Sequence, residues 1–229
     1  MLHRYSLAVG AVFIVAVSAY AADLPYSVKE AKTAPPEGIK EAIAKALDER
    51  SYQFVDEKGN LLCELWFRKE VPAKATPEQV KNGLTYRELP EGALLAVVSF
   101  AKGTTDYRKQ KIKAGVYTLR LGFQPENGDH MGTAPYNDFC LLTPVAEDKD
   151  VAPITAKDLQ ERSTKASGTA HPAVLLLFPV SVKDAGAAAK VVDKGDGHFV
   201  LTLKMALKVG DQKVDLGIGL TLIGVSSGA

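Results

Sequence analysis

The strongest constraint on the fold lies near the C-terminus, where two runs of alternating character flank Gly210 and Asp211. In the first, Phe199, Leu201, Leu203, Met205 and Leu207 alternate with Val200, Thr202, Lys204, Ala206 and Lys208. In the second, Val214, Leu216, Ile218, Leu220 and Leu222 recur at every other position. A period of two belongs to a strand with one buried face, because successive side chains leave opposite sides of the pleat. A two-residue turn led by glycine closes such runs into a type II′ hairpin. That turn sets Leu207 against Val214, Met205 against Leu216 and Leu203 against Ile218, all on one face. A slip of one residue would carry the whole apolar set to the other side. Gly217 and Gly219 fall on the opposite face, where they either admit another segment close to the sheet or simply pack weakly.

Upstream, shorter runs repeat the pattern. Tyr52 to Val55 and Leu61 to Phe67 are joined by Asp56-Glu57-Lys58-Gly59-Asn60, a hairpin signal. On the second of these, Leu61, Cys63, Leu65 and Phe67 share one face and Glu64, Trp66 and Arg68 the other. Residues 93–100 are almost continuously apolar, which predicts a central strand covered on both sides. Residues 111–123, turning at Ala114-Gly115, and residues 136–143 and 172–180 supply further strands. Helix is scarce. Ile39, Ile43 and Leu47 are spaced by four, which predicts about three turns over residues 37–50. Thr76-Pro77-Glu78-Gln79 carries a capping pattern with Gly83 as its stop. Residues 154–166 open on Thr155 and Asp158, carry Leu159 and end before Gly168.

About ten short strands with little helix predict an all-β fold, an antiparallel β-sandwich of immunoglobulin-like, transthyretin-like or jelly-roll-like type with a few short helices. The expected organisation is a signal peptide over residues 1–21, an extended proline-containing leader over 22–36, and one sandwich domain with an N-terminal helix over 37–229. Residues 109–121, K-Q-K-I-K-A-G-V-Y-T-L-R-L, resemble a stretch of bacterial secreted β-sandwich proteins of unknown function. The resemblance implies a hairpin formed by a basic strand, an A-G turn and a Y-x-L strand, and it brings no activity with it.

The signal peptide rests on His3 and Arg4, an apolar run of 11 residues from Leu7 to Val17, and Ala19-Tyr20-Ala21 as the A-x-A cleavage site. The run is far short of the roughly 20 residues that span a bilayer. The expected product begins at Ala22, is secreted or periplasmic, and has no membrane span after cleavage. With 28 basic and 27 acidic side chains the formal charge is +1, which supplies no basic field for nucleic acid.

No nucleophile elbow, H-E-x-x-H motif, phosphate-cradling loop or C-x-x-C-H motif occurs, so the expectation is a protein that is not an enzyme and carries no cofactor. Residues 124–135, Q-P-E-N-G-D-H-M-G-T-A-P, make a long polar connection, and long loops on a rigid scaffold are where binding concentrates. Asp129, His130 and Met131, with Asn137 and Asp138 just beyond, are therefore the candidate ligand-binding residues. A metal is the other reading of this loop, with His130 and either His171 or His198 as imidazole ligands. His198 follows an Asp- and Gly-rich segment whose alternation fails the calcium-loop pattern, so that segment reads as a turn. Glu147, Asp148 and Asp150 read as a solvated acidic face. Export permits a Cys63–Cys140 disulfide, and two buried free thiols are the alternative. The function expected is non-catalytic recognition of a carbohydrate, peptide or protein partner. The alternatives are a periplasmic metal-handling protein using His130 and Met131, and a self-assembling structural subunit of an extracellular assembly.

Overall fold

The C-terminal hairpin forms in the register that its alternation predicts. Leu203 lies opposite Ile218, Met205 opposite Leu216 and Leu207 opposite Val214. All six apolar side chains point inward, five of them fully buried, while Lys204 is exposed on the other face. A computed structural model describes residues 24–124 and 134–227 of the 229-residue chain. The segment assigned to the signal peptide, and Asp129, His130 and Met131, lie outside the described residues.

In chain order the strands are β1 (Tyr26–Ala31), β2 (Ser51–Asp56), β3 (Leu61–Phe67), β4 (Val71–Ala73), β5 (Leu94–Phe100), β6 (Thr104–Thr105) and β7 (Lys111–Ile112). They continue with β8 (Gly115–Phe123), β9 (Asp138–Pro144), β10 (Val174–Leu176), β11 (Lys190–Asp193), β12 (Phe199–Val209) and β13 (Gln212–Ile223). Four α-helices interrupt them: α1 (Glu41–Ala46), α2 (Pro77–Asn82), α3 (Ala156–Ser167) and α4 (Val182–Ala185). The chain is mostly antiparallel β. A curled seven-stranded sheet runs β1-β2-β3-β5-β8-β9-β10, and a four-stranded sheet is built on β11-β12-β13 with β4 parallel to β12. Both sheets feed one apolar cluster: Phe54, Leu65, Val98, Leu119 and Leu142 come from the larger, Leu203, Met205 and Ile218 from the smaller. The apolar strand β5 is the middle of the seven, with Leu94 and Val97 buried on the outer face under Ile43 and Leu47.

Several local expectations are met. Thr76 and Gln79 form a reciprocal capping box on α2, at 3.2 and 2.8 Å. Thr155 caps α3, and Gly168 ends it in the left-handed conformation that glycine adopts without a Cβ penalty. Gly217 and Gly219 do admit a close approach: a Cβ on Gly219 would stand 2.7 Å from the Phe178 carbonyl, and one on Gly217 would stand 2.8 Å from that of Ser181.

Others are corrected. The helix expected over residues 37–50 is only Glu41–Ala46, because Leu47 turns extended and bridges Arg68 at the edge of β3. Residues 22–36, expected as an extended leader, include the extended strand β1, which pairs along its whole length with β2. The hairpin expected at Ala114-Gly115 does not form: β7 pairs with β6, and both edges of β8 are taken by β5 and β9. The Cys63–Cys140 bridge is absent and both thiols are free and buried. They sit on β3 and β9, with β5 and β8 between them. Three strand spacings of about 4.8 Å put them well beyond disulfide reach.

Asp148, assigned from sequence to a solvated acidic face, is fully buried. Its carboxylate takes Arg120 Nε at 2.7 Å and Nη2 at 2.8 Å, and the Thr118 hydroxyl at 2.6 Å. The remaining Arg120 donors reach the carbonyls of Gly92 (2.7 Å), Ala152 (2.8 Å) and Asp150. A guanidinium has five N–H donors and no acceptor, so a buried one needs this ring of oxygens. The effect is to fasten residues 148–152 across the outer face of β8.

Candidate functional site

A concavity sits on the outer flank of β12. On that edge Thr202 is the last residue paired with β11 and Leu207 the first paired with β4. Residues 203–206 therefore have a strand partner only on the β13 side. The two-residue turn makes Val209 and Gln212 the closing hydrogen-bonded pair of the hairpin, so odd-numbered residues of β12 direct their backbone polar groups at β13. Those of Lys204 and Ala206 are directed the other way. The N–H and C=O of Lys204 and the N–H of Ala206 reach this open edge without a strand partner.

The gap opens into a cleft of about 210 Å³. Its walls come from four places: Glu30 on β1 with Asp48 and Arg50 just before β2 and Tyr52 within it; Phe67, Arg68 and Lys69 at the end of β3; Ala187, Ala188 and Ala189, which lead into β11; and Lys204, Lys213 and Asp215 on the hairpin. The alanines are short, which is why the gap stays open beside them. On the opposite wall Asp48 N–H donates to the Phe67 carbonyl (2.8 Å) and Lys69 N–H to that of Ala46 (2.9 Å), which ties the end of α1 to the chain leaving β3.

Charge in the cleft is divided into paired and unpaired groups. Arg50 is held by Asp48 through Nε (3.1 Å) and Nη2 (3.0 Å). That hydrogen bonding keeps the Asp48 carboxyl below its ordinary range and raises the Arg50 guanidinium further. Burial pushes the Tyr52 phenol up. Lys204 and Lys213 have no ion-pair or hydrogen-bonding partner among the described residues. They share the outer face of the hairpin with Lys208, which lies directly opposite Lys213. Like charges in directly opposed positions repel. Only Asp215 offsets them on this stretch.

None of the described residues proposed from the sequence as ligand-binding, metal-binding or disulfide-forming lines this cleft. Asp138 opens β9, with Arg87 Nη2 at 3.1 Å from its Oδ1, and the Arg87 guanidinium lies 4.2 Å over the Phe123 ring. The Asn137 carbonyl accepts from Gln124 N–H at 2.8 Å, where residues 124–135 begin and end. His171 is exposed in the turn after α3, where its N–H donates to Thr169 Oγ1 and its carbonyl accepts from Ser167 Oγ. Among the described residues no group of three His, Cys, Asp or Glu side chains is placed to hold a metal, and no helix is long and apolar enough to cross a membrane. The segment before His198 is the turn expected, linking β11 to β12.

Sequence reasoning missed the cleft because no motif marks it. The one local signal was Lys204 and Lys208 recurring on the polar face of β12, and that reads first as ordinary strand alternation. Compared with known proteins, the chain matches no family model, no curated protein and no solved structure.

Proposed function

We propose that this is an exported, non-catalytic binding protein, a two-sheet β-sandwich that holds an extended segment of a peptide or protein partner against β12. The observation that carries this reading is the four-residue interruption at residues 203–206, where unpaired backbone groups face a charged cleft. An exposed sheet edge can add a strand from another chain, with backbone hydrogen bonds giving affinity and flanking side chains giving selectivity. A carbohydrate would call for an exposed aromatic face, and the two rings lining the cleft, Tyr52 and Phe67, are each only 5% exposed. The lining offers carboxylates, cations and one phenol, polar groups that can flank a strand added from another chain. Export rests on the apolar run and Ala19-Tyr20-Ala21.

The test is an amide chemical-shift map of the ¹⁵N-labelled protein, titrated in parallel with a pool of random hexapeptides and a pool of oligosaccharides. The peptides should shift the amides of residues 203–206 and 187–189, and the sugars should leave them in place. Sugar-induced shifts there would assign the cleft to carbohydrate instead, and silence with both pools would remove it as a binding site.

A further inference from the structure

We infer that the cleft on β12 takes the free C-terminal end of a peptide chain, whose last residues add as a short strand to Lys204 and Ala206. This rests on the peptide-binding reading above and specifies what that site recognises.

β11 and β4 occupy the same edge of β12 on either side of the interruption, so the open stretch is bounded at both ends. Four residues of strand span about 13 Å. A chain passing along this edge would have to enter and leave around two strands that already lie in its path. A chain that ends inside the gap has to do so only once, and three or four terminal residues fill it. The charge agrees with a terminus. A peptide C-terminus carries a carboxylate whatever its sequence, and it needs cations or N–H donors that are not already committed. Lys204 and Lys213 are such cations, whereas Arg50 on the facing wall is already bound to Asp48. Bringing one carboxylate to the face shared by Lys204, Lys208 and Lys213 also relieves the repulsion between the opposed pair. Backbone pairing accounts for the extended ligand, and the lysine face accounts for its end.

Two pools of N-acetylated random hexapeptides, one with free C-termini and one amidated, are titrated against the ¹⁵N-labelled protein. The free acids should shift the Lys204 and Ala206 amides and slow their hydrogen exchange, while the amidated pool binds about ten-fold more weakly. The double variant Lys204→Glu, Lys213→Glu, both positions being exposed, should keep the wild-type spectrum elsewhere and lose the preference. Equal binding of the two pools at this edge would overturn the terminus and leave the peptide site standing. No shift at this edge with either pool would overturn both. Acetate alone reproducing the shifts at the same concentration would reduce the site to a simple anion contact and overturn strand addition.

Discussion

Phe178 and Gly219 are joined by one direct hydrogen bond and one relayed bond. Phe178 N–H donates to the Gly219 carbonyl at 2.7 Å. In the other direction Gly219 N–H donates to the Tyr86 hydroxyl at 2.9 Å, and that hydroxyl donates to the Phe178 carbonyl at 2.8 Å. A phenol thus occupies one rung of a short ladder between the end of β10 and β13, beside the Leu177–Leu220 bridge that links the two sheets. Gly219 makes room for this, since a Cβ there would meet Phe178 and Val180.

Removing that hydroxyl leaves a buried N–H and a buried carbonyl each short of a partner. Tyr86→Phe should therefore cost about 1–3 kcal/mol, read as a lower urea midpoint with an unchanged denaturant slope. It should also change the alkaline limb. Burial raises the Tyr86 phenol well above its ordinary value of 10.0. The folded state then keeps a proton that the unfolded chain releases, so the contribution is intact below pH 10 and is lost as pH rises beyond it. The variant should show a shallower loss of stability above pH 10, and an identical limb in both proteins would contradict the relay.

Arg120 and Asp148 invite a double-mutant cycle. Asp148→Ala strands a fully buried guanidinium and should destabilise by about 3–5 kcal/mol. Arg120→Met strands the carboxylate instead, with only the Thr118 hydroxyl bonded to it among the described residues and Arg162 Nη1 3.9 Å away. Because each single change leaves the partner's charge uncompensated, the double variant should cost much less than the two added together. Strict additivity in thermal unfolding would mean that the pair is not coupled.

The hairpin gives a contrast between neighbours. Leu203→Asp places a carboxylate in the shared apolar cluster and should prevent folding. Lys204→Asp, one residue on and exposed, should stay within about 0.5 kcal/mol of the parent. Comparable losses in circular dichroism melts would contradict the two-faced register.

What could be read from the sequence divides along physical lines. The Leu203–Ile218 pairing was legible because a period of two and a turn of fixed length leave one register that buries every apolar side chain. The cap of Thr76 on Gln79 was legible because its chemistry spans three residues. Asp148 was not, since its partner lies 28 positions away and an acidic, proline-flanked stretch looks solvated until a buried arginine on β8 is placed beneath it. Arg120, in the run between Leu119 and Leu121, was the signal, because a charge in so apolar a strand calls for a counter-charge. The β12 interruption depends on where two separate strands stop. One of them is Val71-Pro72-Ala73, three residues with a central proline and no alternation to announce a strand. Local pattern holds no record of such a meeting.

Asp138 gives a dependence on pH in the acidic range. Its carboxyl is largely withdrawn from water at the head of β9, and Arg87 approaches its Oδ1 at 3.1 Å but out of line for a hydrogen bond, so that oxygen has no hydrogen-bonding partner among the described residues. Desolvation outweighs the attraction of Arg87 and lifts the carboxyl above its ordinary value. A raised folded value means that the native state holds this proton more tightly than the unfolded chain does. Its contribution is therefore complete below the unfolded value of about 3.9 and is lost as pH rises through the higher folded one. Asp48, lowered by Arg50, has the opposite sign: its contribution is present above the unfolded value and disappears as pH falls through the folded one. Asp138→Asn removes the first effect and leaves the second. The variant should gain stability over the parent at pH 7, and the gain should shrink towards zero near pH 3, where the parent's carboxyl is already protonated. Urea midpoints at the two pH values measure this difference directly. A gain equal at both, or a loss that grows at pH 7, would mean that the Arg87 ion pair outweighs burial at this carboxylate.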